Sequence, residues 1–445
     1  MEKKTIQPVM ANDRRNFLKT SALLAGGTVL STMPFAGGAY AGAVNDEIKI
    51  ALIGCGGRGT GAAVNALSTK YNLKLVAMAD AFRDRLDSCY SALSQKFAQK
   101  MDVPEERKFV GFDAYKQAIA EADVLLIATP PGFRPIHFEE AVKHNKHIFM
   151  EKPVATDSPG VRKVLAAAEE AKRKKLNVVV GLQRHYQFNY RETIKRLHDG
   201  AIGDVVGGQV FWNSGGVWVR PREAGQTEME YQMRNWYYFN WLCGDHITEQ
   251  HIHNIDVANW VKRGHPVKAE GTGGRLVRTG KDHGEIFDHH VVLFTYEDGT
   301  IIHSECRHFE GCHNRVDESF QGTNGRTFLS ADHKGIIWDS KGNVKYNHDG
   351  QGNPNPYQQE HDELFAAIVA GEYKFADAEN AAHSTMSSLL GRYATYSGQV
   401  INWDEALNSD ISLLPDAFTW DTKPKVLPGP DGYYPHAIPG QTQVI

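Results

Sequence analysis

The chain has 445 residues, 41% of them hydrophobic and 23% charged, so it is long enough for two domains and too apolar for the disordered class. Its 49 basic residues face 53 acidic ones, a formal net charge of -4, which removes any electrostatic case for nucleic acid or an anionic membrane as partner. Five cysteines, at 55, 89, 243, 306 and 312, make no disulfide framework in a chain of this size, although Cys306 and Cys312 are near enough in sequence to pair in an oxidising compartment.

Residues 1–41 are set apart from the fold. Arg14 and Arg15 precede Phe17 and Leu18, a Gly/Ala-rich apolar stretch follows, and Ala39-Tyr40-Ala41 supplies a cleavage signal. The pattern resembles a twin-arginine export signal, with Asp13 where Ser or Thr is usual. The expectation is a periplasmic protein, exported folded, whose mature chain begins near Gly42. The apolar stretch is too short and too interrupted by glycine for stable membrane insertion.

From residue 46 to 180 strands and helices are expected to alternate. Predicted strands are 48–54, 73–80, 123–129, 147–150 and 177–182, with helices over 134–145 and 158–175 among others. The apolar runs lack polar alternation, which predicts a parallel sheet covered on both faces. GCGGRG closes the first strand and fits G-x-G-x-x-G through Gly54, Gly56 and Gly59, with Gly57 and Arg58 between them. Such glycines admit a pyrophosphate to a helix N-terminus, and Asp80 ends the second strand where a carboxylate takes the adenosine ribose hydroxyls. A carboxylate there favours NAD over NADP, against which Arg58, Arg83 and Arg85 weigh.

These residues, with ATPP (128–131, including Thr129 and Pro130), Glu151-Lys152-Pro153, GLQRH (181–185) and HNID (253–256), resemble the glucose-fructose oxidoreductase / inositol dehydrogenase / MocA family. The resemblance runs from about residue 46 to Leu407. It implies an α/β protein: a Rossmann domain over 46–180, then a C-terminal α/β domain over 181–410 whose open, mostly antiparallel sheet carries the active-site face. It also implies a homo-oligomer, dimer or tetramer, and an oxidoreductase acting on a carbohydrate. Lys152 is placed beside substrate and nicotinamide, positioned by a cis-proline at 153. Glu151 and Gln183 join the cofactor site, and Arg184 and His185 the substrate pocket.

The segment Gly244–Trp260, GDHITEQHIHNIDVANW, resembles the family's catalytic helix and implies His253 as acid/base. Glu249 stands where the family carries aspartate. On a continuous helix Glu249 would lie 40° from His253, on the same face, and His246 60° from Glu249, while His251 would point elsewhere. Glu249 is therefore expected to support His253, with His246 as a substrate contact. A metal held by His246, Glu249 and His253 is a weaker alternative, and no metal is expected. Trp236 and Tyr237 are candidate sugar-stacking residues, though the aromatic crowd over 210–219 and 234–241 fits core or interface packing equally well. Arg220 and Arg222 are further candidates for an anionic group. Strand alternation puts His303, Glu305 and Arg307 on one sheet face. The Pro/Gly-rich tail, 411–445, is expected to lie extended over the surface or a neighbouring subunit.

A periplasm holds little free NAD, so export implies a tightly bound cofactor recycled within the site. Exported relatives of the family cleave N-acetylgalactosaminides by a redox-neutral route, but with Y-x-x-H-G-L-G-P at the catalytic helix; here Gln250 replaces the tyrosine. That departure favours a sugar or glycoside dehydrogenase over a glycosidase, and the presence of both Lys152 and His253 ranks a non-catalytic NAD-loaded sugar-binding protein last.

Overall fold

The computed structural model describes residues 47–445. The expectations for the export segment and its cleavage site lie outside these residues.

Strand β1 (Ile48–Ile53) is buried at every position except Lys49, as a central parallel strand must be. It is followed by α1 (Gly57–Ser68), β2 (Leu73–Asp80), α2 (Arg83–Phe97), β3 (Lys108–Val110), α3 (Ala114–Glu121) and β4 (Val124–Ile127). Then come α4 (Arg134–Lys143), β5 (His147–Met150), α5 (Ser158–Arg173) and β6 (Val178–Val180). The six strands form a parallel sheet in the order β3-β2-β1-β4-β5-β6, the doubly wound arrangement whose ligand crevice opens between β1 and β4. Asp157 caps α5 by accepting the Gly160 N–H at 2.8 Å, and Pro159 occupies its first turn.

The second half opens with α6 (Phe188–His198) and β7 (Val205–Ser214), then α7 (Glu228–Arg234), α8 (Asn240–Cys243), α9 (His246–Glu249) and α10 (Ile252–Lys262). Strands β8 (Lys268–Gly274), β9 (His289–Thr295), β10 (Ile301–His308), β11 (Arg315–Gly322), β12 (Gly325–Ser330), β13 (Lys334–Asp339) and β14 (Val344–His348) follow. With β15 (Ile401–Asn402) they make a nine-stranded sheet, antiparallel throughout except for the β7–β10 pair. Along β10, Ile302, Ser304, Cys306 and His308 are buried, and His303, Glu305 and Arg307 share the opposite, part-exposed face.

Helix α11 (Pro356–Val369) packs on α1, and α12 (Asp377–Ser397) lies between β8 and α5; a short α13 (Trp403–Asn408) closes the domain. The expected boundary at residue 180 is therefore crossed: the chain returns to cover the first sheet, where Val178 bridges to Ala376. Small residues let α12 approach closely, since a Cβ on Gly391 would come within 2.9 Å of the Phe294 ring.

The tail lies on its own chain. Trp420 packs against Phe112 and Phe82 with ring centroids 4.7 and 5.1 Å apart, and the Tyr434 hydroxyl donates to Glu228. All five cysteines are free; Cys306 is buried and Cys312 exposed, so the pairing considered for them is not made. Among the described residues no helix is long and apolar enough to cross a membrane.

Candidate active site

A cavity of about 780 Å³ opens along the carboxyl ends of the parallel strands. Gly54 after β1, Asp80 at the end of β2, Thr129 after β4, Glu151 and Lys152 after β5 and Gly181 after β6 all line it.

The glycines of GCGGRG divide into two physical classes. Gly54 has φ of +96°, and a Cβ there would meet the Thr129 amide nitrogen at 2.6 Å. A Cβ on Gly59 would sit 1.8 Å from the Gly54 carbonyl oxygen, so this glycine lets α1 lie against β1. Gly56 and Gly57, by contrast, have no atom within 4 Å of an added Cβ, yet both line the cavity. The protein's own packing does not require them to be bare. The first turn of α1 carries no acidic side chain, and its N-cap, Gly56, makes no side-chain cap bond. An anion-binding helix N-terminus is thus presented to open space, and it fits the phosphates of a dinucleotide.

Asp80 accepts the Cys55 N–H at 2.6 Å and the Phe82 N–H at 2.9 Å, which fixes its carboxylate at the cavity edge. Burial raises its carboxyl above the ordinary range, and those two amides pull it back down. Arg58 does not reach into the cavity alone: its Nε donates to Glu151 at 3.0 Å and its guanidinium stacks 4.9 Å over the Tyr357 ring.

At the other end the Lys152–Pro153 peptide is cis. The Lys152 ammonium donates to the Glu249 carbonyl and, at 3.2 Å, to the Glu249 carboxylate. Glu249 therefore supports Lys152, not His253 as the helical spacing predicts. The reason is a break in the helix. Gly244 and Asp245 both adopt positive φ, α9 lasts four residues, and the His251 N–H bonds back to the His246 carbonyl, five residues away, at 3.1 Å. That wider turn adds a residue between the two short helices and cancels the 100°-per-residue count.

His253 lines the cavity at 6% exposure and stacks on Trp212 at 5.9 Å. Burial first, then the Lys152 charge, hold its imidazole well below the usual histidine range, so the ring is neutral. Its Nδ1 is buried without a partner among the described residues, leaving Nε2 as the nitrogen available to the cavity.

Gln183, Arg184, His185 and His246, all expected in the site, are not in the cavity wall. Arg184 is 1% exposed and ion-paired with Glu318, whose other oxygen takes the Tyr190 hydroxyl at 2.8 Å. His185 pairs with Asp256 at 2.7 Å and stacks on Trp260. Gln183 is buried at the start of a tight turn over Gln183–Tyr186. His246 is fully buried, donates from Nδ1 to Asp245 at 2.8 Å, and is held neutral by burial, its pKa lowered to about 4.

Asp245, His246 and His290 offer ligand atoms within 4.8 Å of one another, a different set from the His246/Glu249/His253 alternative. Asp245 already accepts the Phe287 N–H at 2.9 Å and the Tyr396 hydroxyl at 2.5 Å, and the Arg278 guanidinium lies 3.4 Å from His246 Nδ1. A cation there would face a fixed positive charge, which weighs against a metal, although Nε2 of His246 is buried with no hydrogen-bond partner among the described residues.

Of the aromatic candidates, Trp236 and Tyr237 do line the cavity, together with Trp212, Val217, Trp218 and Arg220. Arg222 instead pairs with Glu228. Sequence reasoning missed Arg134 and His137 at the start of α4, Gln250, and Tyr357 on α11. Burial lowers Arg134 to about 10 and His137 to about 3; only their polarity at the start of a buried helix signals them.

Comparison with known proteins gives the family and the fold. A family model described as "Oxidoreductase family, NAD-binding Rossmann fold" matches residues 48–181, and the "GFO/IDH/MocA C-terminal domain" matches residues 190–327. An inositol 2-dehydrogenase of Rhizobium meliloti is 25% identical over 58% of this chain and 69% of that one. A glycosyl hydrolase family 109 protein of Streptomyces coelicolor is 25% identical over 37% of this chain and 34% of its own length. In fold, the chain is similar to a levoglucosan dehydrogenase in complex with NADH and levoglucosan, with a TM-score of 0.62 at 13% identity over 80% of this chain and 99% of that one. With both family models matched in tandem over more than half its length, the chain belongs to the Gfo/Idh/MocA oxidoreductase family and carries its NAD-binding Rossmann domain.

Proposed function

We propose that the protein is an exported oxidoreductase that takes hydride from a hydroxyl-bearing carbon of a sugar, glycoside or polyol. One observation carries this reading: Lys152 and a neutral His253 both line the cavity whose far end is the dinucleotide cradle. NAD, when bound, supplies the hydride acceptor. His253 Nε2 takes the hydroxyl proton, which its neutral ring is free to accept at ordinary pH. Lys152 has three N–H donors, of which two are held by Glu249, so one remains for the substrate oxygen as negative charge develops on it. Trp218, Trp236 and Tyr237 offer ring faces to the C–H faces of a sugar. The carbohydrate or polyol substrate is supported by the inositol 2-dehydrogenase relative and the levoglucosan complex.

NAD is preferred to NADP in this reading because the Asp80 carboxylate would repel a 2′-phosphate. Tight retention, a homo-oligomeric state and twin-arginine export to the periplasm complete it; replacing Arg14 and Arg15 by lysine should hold the protein in the cytoplasm. A second reading is redox-neutral glycoside cleavage, by transient oxidation, elimination, hydration and re-reduction. The similarity to the family 109 glycosyl hydrolase favours it, and the glutamine at position 250 weighs against it.

The test is to purify the protein with NAD and add methyl β-D-glucopyranoside, myo-inositol and levoglucosan in turn. Reduced nicotinamide and a keto product, seen by absorbance and NMR, support the dehydrogenase. Free sugar without net reduction supports the glycosidase. Absence of both across the panel refutes the proposed function.

A further inference from the structure

Gln250 lies in the cavity wall next to Glu249 and three residues before His253, and neither the family match nor the proposed mechanism gives it a task. Its orientation is set by a chain of donors that begins in the core. The guanidinium of Arg278 is 4% exposed and can only donate. Its Nη1 donates to the Phe287 carbonyl and its Nη2 to His308 Nδ1. His308 Nδ1 must then be an acceptor, so the ring proton sits on Nε2. Burial, with the nearby His246 and Arg278, keeps this imidazole neutral across the ordinary pH range. His308 Nε2 lies 2.6 Å from the Gln250 side chain, and since it donates, the atom it meets is the amide oxygen.

An amide whose oxygen is committed inward has its NH2 left over. The buried donor chain thus determines which end of Gln250 reaches the cavity, with no freedom for the amide to flip. Given hydride transfer at this site, as proposed above, we infer that Gln250 is a specificity-determining residue that donates an N–H to an acceptor on the substrate close to the carbon that is oxidised. The ligand class follows: a ring bearing a hydroxyl, ether, carbonyl or carboxylate oxygen at that position, received as an acceptor and not as a donor.

Matched analogues of the best parent substrate in the panel above test this. A deoxy analogue removes both donor and acceptor at one ring position, whereas a deoxyfluoro analogue retains a weak acceptor. For the wild type, one ring position should show a loss in kcat/KM of about 3- to 10-fold on deoxygenation, the worth of one neutral hydrogen bond, with a smaller loss for fluorine. In Gln250→Leu the parent should fall to the level of the deoxy analogue and the deoxy penalty should vanish. Gln250→Glu keeps the shape and still accepts from His308 but presents an acceptor to the cavity, so the fluoro analogue should fall at least as far as in Gln250→Leu. Unaltered bound-NAD content in both variants verifies that the fold is intact. A deoxy penalty that persists in Gln250→Leu at every ring position, or a Gln250→Glu enzyme that keeps wild-type preference, overturns the role of Gln250 while leaving the proposed function standing. A wild type that reduces NAD with no member of the panel overturns both.

Discussion

Two glycines two positions apart in the same motif should fail in opposite ways when each becomes alanine. At Gly59 the added Cβ meets a backbone oxygen at 1.8 Å, and a tolerable contact is about 3 Å, so α1 must retreat from β1 by about 1.2 Å. Neither partner is a flexible side chain, which puts the cost at the upper end of overpacking, about 3 kcal/mol, or a fall in Tm of about 3–4 °C for a cooperative unit of this length. At Gly57 the Cβ meets nothing of the protein, and an alanine in the first turn of a helix gains about 0.5–1 kcal/mol over glycine. That methyl would instead occupy the space in front of the α1 N-terminus. Displacing an anionic phosphate by a methyl radius forfeits at least one hydrogen bond to a charged group, about 1.5–3 kcal/mol, and weakens NAD by about 10- to 150-fold.

The assay is a pair of measurements on each variant, thermal melting with NAD removed and NAD titration by calorimetry. Gly59→Ala should melt low, and Gly57→Ala should melt at or above the wild type while binding NAD poorly. A Gly57→Ala protein with wild-type NAD affinity would refute the placement of the phosphates, and an unshifted Tm for Gly59→Ala would refute the packing argument.

Four further outcomes are expected. His253→Ala should lower hydride transfer by about 10²- to 10⁴-fold with NAD still bound, as for loss of a general base. Because burial and Lys152 depress the His253 pKa, the base form persists as pH falls through about 6.5, so a pH–rate profile should show no bend there from this group. Glu249→Gln should slow turnover in the wild type but add little in a Lys152→Met background, because Glu249 acts through Lys152; a double-mutant cycle in kcat reads that coupling. Trp420→Ala, which removes the tail ring behind Phe82 and Phe112, should raise the Kd for NAD by about tenfold, measured by the same titration.

Residues placed by a single strand and the turn after it were legible in the sequence. Gly54, Asp80, Thr129 and Lys152 each follow an apolar run, and in a parallel sheet the ends of those runs necessarily meet at one edge. Strand β2 and strand β5 fall at 73–80 and 147–150, as their apolar runs predict, because a nearly buried parallel strand runs as far as its apolar run does. Arg184 and His185 follow such a strand as well, yet Glu318 on β11 and Asp256 on α10 claim them. A charged side chain after a strand goes to whichever opposite charge the fold supplies, and that partner lies 134 residues away for Arg184 and 71 for His185.

The histidine segment shows the same division within one stretch. That the segment meets the cavity was legible, and its geometry was not, because a helical count assumes one continuous helix. Two consecutive positive-φ residues, Gly244 and Asp245, start a four-residue turn, and the wider turn at His251 then sends four neighbouring polar side chains in four directions. His246 goes to the Asp245 cluster, Glu249 to Lys152, Gln250 to His308 and His251 to Ser304 at 2.7 Å. Only His253 is left facing the cavity without a hydrogen-bond partner for its ring among the described residues, and that is the condition a proton acceptor needs. The polar crowding that makes the segment look like a metal site is what isolates its one free imidazole: each neighbour is tied to a different element, and none is left to compete for the substrate's proton.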